Sequence, residues 1–134
     1  MGFYGIIFLL GRILYGGYFL LSGINHFTKI KSFSEYAGSK GVPLPRLTTA
    51  ISGILIFLGG LGILLGIYVE WAILAIVLFL VPVSFIMHAF WSETDQGMKM
   101  VDEQMFMKNM ALLGAALLVL FLKSPWLYSL CLPY

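Results

Sequence analysis

The sequence predicts an all-α integral membrane protein, a four-helix bundle with a short interfacial helix between its first and second spans. Three observations carry this. Of 134 residues, 60% are hydrophobic and 10% charged, whereas a water-soluble domain carries about 25% charged residues. Apolar runs long enough to cross a bilayer recur near residues 3–26, 47–68, 71–91 and 108–123. None alternates as a strand would, and the hydrocarbon core admits only helices and closed barrels. The length suits a single domain, residues 1–134.

The first run carries one charge. Arg12 lies nine residues past Phe3, so its Cα sits roughly 14 Å below that end of the helix. A guanidinium near mid-bilayer costs several kcal/mol without a partner. The run closes on a polar signature, Ser22-Gly23-Ile24-Asn25-His26-Phe27. Its start lacks the basic region of a signal peptide, so it reads as a retained span. Between residues 28 and 46, Phe27, Ile30, Phe33 and Tyr36 recur at helical spacing while Lys29, Lys31, Glu35 and Lys40 fall elsewhere. That pattern predicts a short amphipathic helix in the interface, ended by Gly38 and Gly41 and followed by extended chain at Pro43 and Pro45; a solvated basic loop is the alternative.

The second span is rich in glycine (Gly53, Gly59, Gly60, Gly62, Gly66), the residue that lets membrane helices approach closely. A minimal connection makes spans two and three an antiparallel hairpin. Pro82 in span three frees the carbonyl of Leu78. Span four carries Gly114-Ala115-Ala116, another close-packing surface, and the tail with Trp126, Tyr128 and Tyr134 reads as an aromatic interface anchor. Lys29, Lys31, Lys40, Arg46, Lys99 and Lys108 lie on the side of the two long loops, against Lys123 on the other. This bias predicts a plasma-membrane protein with cytoplasmic long loops and both termini outside. The acids Glu93, Asp95, Asp102 and Glu103 then face the basic first loop and can dock one loop over the other.

Candidate ligand-binding residues follow from depth. Counted from the outer ends, Arg12 comes level with residues 58–60, 80–82 and about 114. Its candidate partners are the Leu78 carbonyl, Ser84, Tyr15, Tyr18, water or an anionic or carbonyl-bearing ligand; snorkelling to the headgroups is the other reading. His26 and His88 lie at the cytoplasmic ends of their spans, with Asn25, Lys108 and Asn109 assigned the same level. They either anchor helix ends or form a polar pocket for a quinone carbonyl, a metal or a haem. Met98, Met100, Met105, Met107 and Met110 are either packing residues or thioether ligands for copper(I). Two histidines without a third ligand do not make a metal site, so no metal and no catalytic residue is assigned. Cys131 is single, which excludes an intrachain disulfide. There is no phosphate-binding glycine loop and no sign of nucleic-acid binding.

Gly11-Arg12, Ser22-Gly23-Ile24-Asn25-His26-Phe27, Gly41-Val42-Pro43, the glycines from Gly59 to Gly66, His88-Ala89-Phe90-Trp91 and Lys108-Asn109 occur in this order. In these motifs, over nearly its whole length, the chain resembles the DoxX family of small bacterial and archaeal membrane proteins. The resemblance implies a four-helix membrane protein and a link to quinone-dependent oxidoreductases or redox-stress complexes. Implied partners are the lipid bilayer and other membrane or redox subunits, or a second copy of the chain. Quinone is the implied ligand, with no cofactor assigned. Many members carry a glutamate before the glycine pair, where this chain reads Ile54-Leu55-Ile56-Phe57. The competing expectations are an assembly factor for another membrane protein and a transporter of a small solute.

Overall fold

In the computed structural model, which describes residues 2–123 and 125–130, five helices and one short turn follow in order. They are α1 (Phe3–Thr28), α2 (Ile30–Ser39), α3 (Pro45–Leu65), α4 (Val69–Met87), a 3-10 turn (Phe90–Ser92) and α5 (Gln96–Leu120). Four stretches are long and apolar enough to cross a membrane: Phe3–Thr28, Pro45–Leu65, Val69–Ser92 and Gln96–Leu120. The second and third are joined by a tight turn in which Gly66 and Tyr68 both take left-handed backbone conformations. The expected hairpin is present.

Lateral order is α1, α3, α4, α5, each packed on the next. The α1–α3 contact is the closest, and glycine makes it so. On α1, buried Gly5, Arg12, Gly16, Phe19 and Gly23 share one face; on α3, Thr49, Gly53, Ile56, Gly60 and Ile63 do the same. A Cβ on Gly16 would stand 2.8 Å from the Gly60 carbonyl oxygen, and one on Gly23 would stand 2.7 Å from the Phe57 side chain. Backbones therefore touch without intervening side chains, as small residues permit between membrane helices. The α3–α4 hairpin closes similarly, with Gly59 and Gly62 against Ile76 and Ala72. Phe19, Ile56, Ile63, Ile73, Ile76 and Leu80 fill the centre.

The amphipathic segment forms α2 as predicted, with Ser34 and Ala37 inward and Phe33 edge-on to His26. It ends at Ser39, and Gly41 just beyond takes a positive φ of 82°, which glycine adopts without steric cost. The fourth membrane helix begins at Gln96 rather than near Lys108. Asp95 caps it by accepting a hydrogen bond from the Met98 amide at 2.8 Å. The acids Asp102 and Glu103, expected in a loop, are thereby helical. Gly114 is exposed with nothing near its Cβ position, so only Ala116 of the predicted small-residue surface packs inside.

Candidate functional site

Arg12 is 4% exposed and faces the bundle. Its guanidinium donates three hydrogen bonds, from Nε to the Ile63 carbonyl at 3.2 Å, Nη2 to Leu64 at 2.7 Å and Nη1 to Leu127 at 2.6 Å. Phe8 and Trp126 flank it with ring centroids 5.9 and 5.7 Å from Cζ. Its acceptors follow from how a helix ends. The last four carbonyls of α3 have no partner within the helix. The Gly62 carbonyl takes the amides of Gly66 and Ile67, Ile63 and Leu64 take Arg12, and Leu65 takes the amide of Leu130. A cation placed there also complements the negative end of the helix dipole.

The depth assignment of Arg12 is corrected by this geometry. It lies at the end of α3, against residues 63–66, and not beside residues 58–60, Pro82 or Gly114. The reason is register. Gly16 meets Gly60 and Gly23 meets Phe57, so the first turns of α1 run past the end of α3. The segment after α5 folds back over that overhang, placing Trp126 edge-on to Phe8 and Tyr128 against Gly5. Trp126 is consequently buried, not an interface anchor; Tyr134 and Cys131 lie outside the described residues. Pro82 is exposed, and Ser84 donates to its own helix at the Leu80 carbonyl, 2.6 Å away.

The two histidines have different hydrogen-bond partners. His26 Nδ1 bonds the Ser22 carbonyl of its own helix at 2.8 Å, and its ring packs edge-on against Phe33 and Phe79. His88 Nδ1 bonds Asp102 Oδ1 at 3.1 Å. Lys108 reaches neither; its ammonium bonds the Tyr18 hydroxyl at 3.1 Å and Met105 sulfur at 3.4 Å. With the Tyr15 hydroxyl donating to the Leu112 carbonyl at 2.8 Å, it ties α5 to α1. Asn109 is buried on α5 and Asn25 half-buried on α1, and neither side-chain amide has a hydrogen-bond partner among the described residues. The methionines of α5 fall on opposite sides of the helix at about 3.6 residues per turn, with Met100 and Met107 exposed.

A charged cluster lies where α2, α4 and α5 meet. Asp102 is fully buried and uses both oxygens, Oδ1 to His88 and Oδ2 to Lys40 Nζ at 2.8 Å. Lys40 also pairs with Glu93 at 3.2 Å and stands over the Tyr36 ring. The bond to Asp102 raises the Lys40 pKa. Glu93 is held below the usual carboxylate range, first by the Asp95 amide and then by Lys40. The anticipated docking of one loop over the other is realised here. Asp102 itself was not anticipated as a buried group. Its signal was the run Asp102, Asn109, Ala116 at heptad spacing, visible once Asp95 is read as an N-cap.

Four apolar membrane-crossing helices, tight glycine contacts and polar groups bonded mainly within the chain define a multi-pass helical-bundle membrane protein. The sequence profile of the DoxX family matches residues 7–89, well over half of the chain. The chain belongs to the DoxX family. No curated protein and no solved structure matches it.

Proposed function

We propose that the protein is a non-catalytic integral membrane subunit of a quinone-linked or redox-stress oxidoreductase complex. The observation that carries this reading is the disposition of the polar groups. Among the described residues, no side-chain nitrogen or oxygen that is itself sealed from the surface lacks a partner; the Asn109 amide, on a buried residue but unpartnered, reaches the surface. Arg12, Ser84 and His26 are all engaged by carbonyls of the chain itself. A bundle whose interior polar groups are met internally acts as a scaffold, and its contacts with ligand or partner lie at its surface. The family resemblance supplies the redox direction. The proposed setting is the plasma membrane, with the long loops in the cytoplasm.

Extraction of the tagged chain in a mild detergent, followed by identification of copurifying proteins, tests the reading. Stoichiometric recovery of a flavin-, thiol- or quinone-dependent oxidoreductase is the expected result. Recovery of a non-redox membrane protein instead would favour the assembly-factor reading, to which the α1 and α5 glycines with open space at their Cβ positions, Gly11, Gly17 and Gly114, also lend themselves.

A further inference from the structure

We infer that the seam between α1 and α5 holds the carboxylate of a single-chain fatty acid drawn from the surrounding lipid, met by Lys108 and Tyr18 and backed by the Asn109 amide. The inference is independent of the redox-subunit reading and involves neither histidine nor Arg12.

Three features build the site. The first is an ammonium without a counter-charge inside a span. Lys108 lies twelve residues past Gln96, about 18 Å along α5. Its partner Tyr18 lies ten residues before Thr28, about 15 Å from that end of α1. The nearest acids along α5, Asp102 and Glu103, do not pair with Lys108, and it forms no ion pair among the described residues. A cation at such depth ordinarily pairs with an anion or marks a ligand path. Here the chain supplies no anion.

The second feature is unused donor capacity. The Lys108 ammonium, 3.1 Å from the Tyr18 oxygen and 3.4 Å from the Met105 sulfur, spends two of its three hydrogens. Tyr18 accepts through its oxygen, so its own hydrogen remains free to donate. Asn109, next along α5, is only 5% exposed, yet its amide is unpartnered. Because no unpartnered side-chain nitrogen or oxygen is sealed from the surface, that amide borders an opening. Donors gathered around one positive charge suit a carboxylate, which only accepts.

The third feature is the way in. α1 packs on α3 and α5 on α4, and these two outer helices meet chiefly through side chains. The Tyr15 hydroxyl on the Leu112 carbonyl and Lys108 on Tyr18 bridge the seam. Lys108 and Tyr18 are both exposed at its edge. Leu14 and Leu21, one turn either side of Tyr18, are exposed as well and give an acyl chain an apolar track. Depth then selects the ligand. The phosphate of a bilayer lipid is held at headgroup level by its glycerol, and a free inorganic anion has no apolar route. A neutral lipid leaves the ammonium unanswered. A single chain ending in a carboxylate meets both the track and the charge.

The test uses the full chain in phosphatidylcholine nanodiscs, with palmitate labelled with 13C at its carboxyl as probe and empty nanodiscs as the reference. A saturable shift of the carboxyl signal is expected, with neither methyl palmitate nor phosphatidylglycerol able to displace the probe. Lys108→Met should weaken binding about ten-fold or more, as for a hydrogen bond to a charged group, and Tyr18→Phe about three- to ten-fold. Lys99→Met, which removes a lysine elsewhere on α5, should leave binding unchanged. Should Lys108→Met fail to fold, the two competitors decide in the unmutated protein. A signal identical to that in empty nanodiscs, or undiminished binding to folded Lys108→Met, would overturn the inference. Displacement by methyl palmitate would overturn it in favour of an apolar groove, and displacement by phosphatidylglycerol in favour of a headgroup site.

Discussion

Arg12→Leu separates a structural arginine from a ligand-binding one. The substitution strips donors from the carbonyls of Ile63, Leu64 and Leu127 at once. A buried carbonyl left without a partner costs about 1–3 kcal/mol, so the three, one in a buried bond and two in part-buried bonds, cost up to about 6 kcal/mol. Against this, the mutant no longer buries a guanidinium, which relieves about 3 kcal/mol on insertion scales. The net expectation is a loss of up to about 3 kcal/mol, read as a lowered midpoint in denaturant titration of the detergent-solubilised protein. Trp126 stands over the guanidinium, so the segment after α5 should loosen and the tryptophan emission shift to the red before global unfolding. Arg12→Lys should fall between the two, since one ammonium cannot reproduce the fork that spans adjacent carbonyls. An Arg12→Leu protein as stable as the wild type, yet selectively deficient in ligand or partner binding, would refute the capping argument.

Three further outcomes are expected. Gly60→Ala places a methyl 2.6 Å from the Gly16 carbonyl oxygen, so α1 and α3 must separate; a loss of about 3 kcal/mol or more in the same titration is expected, whereas Gly114→Ala, in open space, should be neutral. The contact of α2 with α5 is pH-dependent on both sides. Lys40 has a raised pKa, so its contribution is full below its ordinary value of 10.5 and lost as pH rises through the raised one. Glu93 has a lowered pKa, so its contribution is present above its ordinary value of 4.5 and lost as pH falls through the lowered one. Amide protection in α2, taken relative to the intrinsic exchange rate at each pH, should therefore be greatest between about pH 5 and 10, and Lys40→Met should flatten the alkaline limb. For topology, a reporter active only outside the membrane should work when fused after Tyr134; activity confined to insertions at residues 28–46 would reverse the assigned orientation.

Number and type of elements were legible in the sequence because the bilayer enforces them. An apolar run of spanning length must be helical when no water can satisfy its backbone, and α2 announced itself by its period. The inward face of α1 was legible too, since Arg12 falls in one stripe with Gly5, Gly16 and Gly23. What the sequence left open was register. Depth counted from chain ends assumes helices start level, but the Gly16–Gly60 and Gly23–Phe57 contacts slide α1 along α3. That slide carries Arg12 from the middle of α3 to its last carbonyls. The acceptor from Leu127 and the pairing of Lys40 with Asp102, 62 positions away, depend on how distant segments fold back. Local periodicity determines which face a residue occupies; only packing along the helix axis decides what it meets there.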